Sequence, residues 1–301
     1  MAQPFIGSEA VAAGRISKYQ LGRRFTAIHP DIYVSPDVEL NLDERALAAW
    51  LWSGRRGVLC GLTASALHGA KYVEDSQPAE LIWSNRRPPL GIRTYNHDLH
   101  EDEITEAGRW GLPTTTLVRT VFDLGRRGSL DEAVTRLDAL GHARRFRARE
   151  VLEWAHCRHS GKRGLGQLAT ALRLHDAGSE SPRETWLRLL IIRAGYRRPQ
   201  TQVPVVSADG RRRYYLDMAW EDMKLAVEYD GDHHRSDPAQ YAWDIVRSED
   251  LAELGWNRIR VTKRHSGSDV LQRLARMWSS TVRSDRESGR EPGLVAPSTA
   301  R

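Results

Sequence analysis

A chain of 301 residues with 40% apolar and 28% charged side chains can bury ordinary cores and has room for one or two domains, or three small ones. Its net charge of +6, carried mostly by arginine, favours an anionic partner such as nucleic acid, because guanidinium forks match phosphate oxygens; a basic soluble protein from an Arg-rich proteome is the plainer alternative. Cys60 and Cys157 stand far apart, so neither a zinc site nor a disulfide framework is expected and a cytosolic protein fits. Met1 to Ala13 lacks the pattern of a signal peptide, and no run approaches the ~18 apolar residues of a membrane span.

Residues 1–38 read as a small winged-helix-like unit. Phe5 to Ala13 is expected as a helix ended by Gly14, and Ser17 as the N-cap of a second helix, Lys18 to Arg24. Phe25–Ile28 and Ile32–Val34 then form two short strands about His29-Pro30-Asp31. Lys18, Arg23 and Arg24 fall on or beside the second helix, where they can meet phosphates; a structural cap with solvated charges is the plainer reading.

Residues 39–156 read as a helical and stranded domain. Ala46, Leu47, Trp50 and Leu51 keep helical spacing, and the next helix has Thr63 as N-cap and Gly69 at its C-terminus. Strands are expected at 79–84 and 90–97. A helix within 113–127 turns Leu117, Val118, Val121, Phe122 and Leu124 to a core, and two more follow at 129–140 and 147–156. The segments Gly61-Leu62-Thr63-Ala64-Ser65-Ala66-Leu67-His68-Gly69 and Gly111-Leu112-Pro113-Thr114-Thr115-Thr116-Leu117-Val118-Arg119-Thr120-Val121-Phe122-Asp123-Leu124 resemble AbiEi-type antitoxin and transcriptional-regulator proteins over roughly residues 5–155. The resemblance implies a DNA-binding or regulatory N-terminal half.

Residues 157–180 form a Gly-, Arg- and Ser-bearing linker region with one helix near 167–175. Ser181 caps a further helix with Pro182 and Glu184 in its first turn and Trp186, Leu187, Leu190 and Ile191 as its apolar stripe. A strand near 202–206 and a turn at Ala208-Asp209-Gly210 lead into a hairpin, Tyr214 to Asp230, preceded by the basic run Arg211, Arg212 and Arg213, which we assign to DNA contact.

Centring the hairpin turn between Asp222 and Met223 sets Asp217 directly opposite Glu228. Alternation then gives one face Tyr215, Asp217, Ala219, Ala226, Glu228 and Asp230, and the other Leu216, Met218, Trp220, Leu225, Val227 and Tyr229. The second is a core face. The first opposes two carboxylates, which is destabilising unless something offsets them; a divalent cation is the natural candidate. Beyond the hairpin, Pro238 opens a helix to about Leu254 with Trp243, Val246, Leu251 and Leu254 inward and Asp244, Arg247 and Asp250 on another side. A strand over 256–262, with Ile259 and Val261 inward, should lie parallel to the Glu228 strand because a crossover separates them. A last helix spans about 268–278, and residues 281–301 read as a disordered tail.

The run Ser181-Pro182-Arg183-Glu184, Leu216-Asp217-Met218-Ala219-Trp220, Val227-Glu228-Tyr229-Asp230-Gly231-Asp232-His233-His234, Asp244-x-x-Arg247 and Leu254-Gly255-Trp256 resembles the very-short-patch-repair endonucleases and their relatives in domain of unknown function 559, within the PD-(D/E)XK nuclease superfamily. The fold class expected is thus mixed α/β: a helical, winged-helix-like N-terminal region, then over 181–280 a restriction-endonuclease-like domain with a mixed central sheet. The resemblance implies a Mg2+- or Mn2+-dependent DNA endonuclease or nickase, with Asp217, Glu228 and Glu184 as metal ligands. It places His233 or His234 in acid–base work and Arg247 on the scissile phosphate or in a pair with Asp244. His233 and His234 read equally well as solvated turn residues. The superfamily often carries lysine two residues after the glutamate; here the position is Asp230, taken as a candidate catalytic residue in its own right. That departure motivates the alternative, a non-catalytic DNA-binding regulator that keeps the nuclease fold; an RNA-acting protein of the same fold is a third reading. DNA is the expected partner, with a protein partner or second copy possible and no membrane.

Overall fold

The computed structural model of the chain describes residues 3–84, 87–231 and 238–287. They form a mixed α/β structure that divides into two compact units, Met1–Ala177 and Gly178–Arg301.

The first unit opens with strand β1 (Phe5–Ile6), helices α1 (Gly7–Ala12) and α2 (Lys18–Arg24), and strands β2 (Thr26–His29) and β3 (Ile32–Val34). Phe5 and Ile6 were expected to begin a helix; instead they pair antiparallel with Tyr33 and Ile32, giving a sheet ordered β1-β3-β2. Ser17 caps α2 as expected, in a reciprocal box with Gln20. Helix α3 (Leu42–Trp52), strand β4 (Val58–Leu59), helix α4 (Gly61–Leu67) and strands β5 (Ala79–Ile82), β6 (Ile92–Tyr95), β7 (Ile104–Ala107) and β8 (Leu112–Thr115) follow. Their sheet has the order β6-β5-β4-β8-β7 and packs an Ala- and Leu-rich face of α3. Thr63 does not cap α4, which begins at Gly61; its hydroxyl accepts the Glu80 N–H at 2.9 Å and ties the helix to β5.

Helices α5 (Leu117–Gly125), α6 (Leu130–Ala143), α7 (Ala148–His159) and α8 (Leu165–Leu174) complete this unit. On α5, Val121, Phe122 and Leu124 are buried as the periodicity requires, and so is Arg119. Its guanidinium reaches Glu103 at 2.8 Å and Asp123 at 3.0 Å, Arg126 and Arg127 also reach Asp123, and His159 on α7 bonds Glu103 at 2.7 Å. Buried charge is tolerated here because every member has a partner. Gly125 lets α8 approach: a Cβ there would lie 2.5 Å from the Leu168 side chain.

The second unit contains α9 (Pro182–Arg193), β9 (Gln200–Val206), β10 (Arg213–Trp220), β11 (Leu225–Tyr229), α10 (Pro238–Glu253), β12 (Asn257–Val261) and α11 (Gly267–Glu287). Its sheet is ordered β12-β11-β10-β9, antiparallel except for the parallel β11–β12 pair that the intervening α10 crossover demands. Two cores form. Leu187 and Ile191 of α9 pack with Met218, Trp220, Leu225, Val227, Ile259 and Val261 and with Val270, Leu274 and Trp278 of α11. Tyr214, Leu216, Ala219 and Ala226 pack with Leu251 and Trp256. Helix α11 continues past the expected Trp278 to Glu287.

Candidate functional site: an acid–arginine cleft on the second unit

The hairpin register is the one that the central turn implies. Met218 pairs with Val227, Ala219 with Ala226 and Trp220 with Leu225, and a 3-10 turn, Glu221–Met223, closes it with Lys224 in the left-handed region at φ 46°. Past Met218 the ladder opens. The Tyr229 N–H donates to Asp217 Oδ2 at 2.7 Å, so a side chain stands in for a strand partner where the acids meet.

Strict alternation fails at the same point. Leu216 was assigned to the face of Met218 and Trp220, yet it is buried with Ala219 and Ala226, whereas Met218 and Trp220 belong to the other core. The β9 pairing is regular on both sides of Asp217, but Gln202, the residue facing it in that register, has φ 51°. The register is the same on both sides, so no residue is inserted; the change of parity along β10 coincides with this left-handed residue on its neighbour. Tyr215, Asp217, Glu228 and Asp230 still share one cleft of about 320 Å3, walled by Asp244 and Arg247 of α10. Trp243 was read as inward; it is 45% exposed, lies 5.9 Å from the Tyr214 ring and also lines the cleft.

The opposed carboxylates are offset mainly by arginine. Glu228, 5% exposed, accepts from Arg247 Nη2 and, at 3.1 Å, from Arg258 Nη1. Arg258 is held further by the Ser248 hydroxyl at 2.8 Å, and Arg247 Nη2 also donates to the Tyr215 carbonyl at 2.8 Å. Arg247 therefore pairs with Glu228 and not with Asp244, which lies 3.6 Å from Arg260. Arg260 also neutralises Asp230 at 2.9 Å.

Asp217 differs from its neighbours. Among the described residues no guanidinium, ammonium or imidazole lies at ion-pair distance, and it accepts a hydrogen bond from a neutral N–H. Burial, then the nearby Glu184 charge, then Glu228 push its carboxyl up to about 7, against the Tyr229 N–H and the more distant Arg247. Glu184 itself sits in the first turn of α9, where it accepts from the Ser181 hydroxyl and from the Glu180 N–H, each at 2.8 Å. It is near enough to act on Asp217 through its charge, while its carboxylate also holds the helix start. Among the described residues no group of three or more His, Cys, Asp or Glu side chains is arranged to hold a metal ion. His233 and His234 lie outside the described residues.

The expected DNA-contact residues fall in two places. Lys18, Arg23 and Arg24 are exposed on α2, with Arg23 donating to the Tyr19 hydroxyl at 2.8 Å. Arg211 and Arg213 are exposed at the β9–β10 turn, but Arg212 is drawn back onto Asp250 at 3.0 Å, beside the Tyr214 hydroxyl. Arg258 and Arg260 were missed. The signal for them was present: with Ile259 and Val261 inward on a strand parallel to β11, Arg258 and Arg260 must share the face of Ala226 and Glu228, which are in fact paired with them.

No family model matches the chain. It is 28% identical over 225 residues, covering 74% of this chain and 80% of the relative, to the uncharacterized proteins MT2308 and Rv2248 of Mycobacterium tuberculosis strains CDC 1551 / Oshkosh and H37Rv. No solved structure matches. Among the described residues no helix is long and apolar enough to cross a membrane.

Proposed function

We propose that the chain is a metal-dependent, cytoplasmic DNA endonuclease or nickase whose second unit hydrolyses phosphodiester bonds and whose first unit, as an AbiEi-like, winged-helix-bearing half, binds DNA or regulates the nuclease. The observation that carries the reading is Asp217: a carboxylate in a cleft wall, without an ion-pair partner among the described residues, disfavoured as an anion by burial and by two neighbouring acids. Such a group fits a hard cation, which prefers carboxylate oxygen. Glu228 beside it has its charge already balanced, so the fit there requires at least one arginine to yield. The order α9, β9–β10–β11, α10, β12, α11 supports a PD-(D/E)XK-type fold of the kind seen in very-short-patch-repair enzymes.

When bound, Mg2+ or Mn2+ supplies charge to the phosphoryl oxygen and acidifies a water. Asp217 and Glu228 would hold it, with Glu184 as a further acid at the edge. Arg247 and Arg260 line the cleft and can orient a phosphate through charge-assisted bonds. Asp230, held by Arg260, keeps that arginine in place. One specific observation favours the second reading, a DNA-binding regulator without hydrolysis: two guanidiniums already balance the charge of Glu228 in the absence of any cation.

Supercoiled plasmid separates the two. The nuclease predicts nicking in Mg2+ or Mn2+, abolished by EDTA and reduced at least about a hundredfold in Asp217→Asn and Glu228→Gln. Equal inertness of wild type and variants, together with a gel shift of the same plasmid, assigns the chain to the regulator class.

A further inference from the structure

Resting on the nuclease reading, the geometry points to a division of labour between the two arginines on Glu228. We propose that Arg258 is a fixed positioning residue, whereas Arg247 is an exchangeable counter-ion that leaves Glu228 when a divalent cation arrives and passes to the phosphate of the nucleic acid.

The two guanidiniums are held differently. Arg258 stands on a strand, its side chain 12% exposed, with one nitrogen on Glu228 and another on Ser248. Moving it would strip two acceptors at once, the buried Glu228 and the half-buried Ser248. Arg247 stands on α10, is about twice as exposed at 22%, and uses a single nitrogen, Nη2, for both Glu228 and the Tyr215 carbonyl. Its Nε and Nη1 make no hydrogen bond to the described residues, and the side chain lines the cleft. It therefore holds unused donors toward the space where an anion would sit. A guanidinium has five N–H donors in a planar fork suited to phosphate, so the exchange needs no new group.

Charge supplies the drive. Asp217, Glu228, Asp230 and Asp244, with Glu184 close to Asp217, face Arg247, Arg258 and Arg260, so carboxylates outnumber guanidiniums. Were Asp217 and Glu228 to hold a divalent cation, it would offset that excess and compete with the less tightly held Arg247 for Glu228. The released Arg247 then favours phosphate. Linkage makes the effect reciprocal: phosphate occupying Arg247 frees Glu228 for the cation, and cation and nucleic acid strengthen each other's binding through one side chain.

The test is Mn2+ titration of the metal-free full-length protein, followed by the paramagnetic resonance of free Mn2+. Removing the competing charge in Arg247→Gln is expected to tighten Mn2+ binding by roughly tenfold, the ordinary range of coupling between adjacent sites. Arg247→Lys, which keeps a charge, stays near wild type and controls for any loss of packing, with circular dichroism checking the fold. A labelled DNA duplex gives the second readout by anisotropy. Wild type gains affinity on replacing EDTA with Ca2+, by about fivefold or more, and Arg247→Gln loses most of that gain. Mn2+ affinity unchanged or weakened in Arg247→Gln overturns the exchange while leaving the nuclease reading intact. A wild type that takes up no Mn2+, or takes it up as well in Asp217→Asn, overturns the nuclease reading and the exchange with it.

Discussion

Above neutral pH the Asp217 carboxylate must ionise in a wall that already holds Glu228 and lies close to Glu184. In the unfolded chain an aspartate titrates near ~3.9; in the folded protein Asp217 titrates at about 7. The folded state is the better proton acceptor between those values. The stability linked to this group is therefore complete below the unfolded value and lost as pH rises through 7. Asn at this position keeps an oxygen for the Tyr229 N–H and cannot ionise. Asp217→Asn is expected to melt with wild type near about pH 4 and a few degrees above it near about pH 8, by differential scanning calorimetry in chelator. A melting difference of the same size at both pH values would show that titration of Asp217 is not its source. At the same scale Arg258 illustrates a residue whose meaning depends on pairing. Burial lowers its pKa, yet the adjacent Glu228 holds the charge in place.

Among the elements, α5 anchors the first unit through charge as well as packing. Val121, Phe122 and Leu124 fill one side, while Arg119 joins Glu103, before β7, to Asp123 on its own helix. Arg119→Ala leaves Glu103 with His159 and the His100 N–H, leaves Asp123 with Arg126 and Arg127, and opens a void where a fully buried arginine stood. The expected cost is about 3–5 kcal/mol, seen in urea unfolding as a lowered midpoint. A change under about 1 kcal/mol would mean that the network contributes no net stability. The same element shows what a sequence displays and what it hides. Apolar spacing announced the helix and its core side, because burial of aliphatic groups imposes the 3.6-residue period. Arg119 carried no such mark, since its partner Glu103 lies outside the helix and is identified only once β7 and β8 pair. The hairpin divides likewise. Its register was legible from the turn, and the parallel β12 from the crossover. The parity change at Asp217 was not, because strict alternation carries no mark of a local break, which here coincides with a left-handed backbone at Gln202 on the neighbouring strand. Strands as short as β4, with Val58 and Leu59, are too brief for alternation to appear at all.

On the scale of the whole molecule, a net charge of +6 is shared between two units, and each presents basic side chains to solvent: Lys18, Arg23 and Arg24 on α2 in the first, Arg211 and Arg213 beside the β9–β10 turn in the second. Each phosphate neutralised on duplex DNA releases counter-ions and adds roughly 0.9 to the slope of log affinity against log salt. That slope reads how many of these side chains engage DNA, independent of the chemistry in the cleft. Replacing Lys18, Arg23 and Arg24 together by Ala is expected to lower the slope by up to ~2.7, and replacing Arg211 and Arg213 by up to ~1.8. The two losses should add in the combined variant if one DNA molecule is contacted by both units, because the two sets belong to different units and their hydrogen bonds share no partner. Arg212 serves as the internal control. Its pairing with Asp250 predicts that Arg212→Ala lowers thermal stability and leaves the slope nearly unchanged. Anisotropy of a labelled duplex over a salt series measures all four variants. A slope insensitive to the α2 substitutions would remove the first unit from DNA contact and leave regulation as its role; a slope insensitive to every one of them would remove both surfaces.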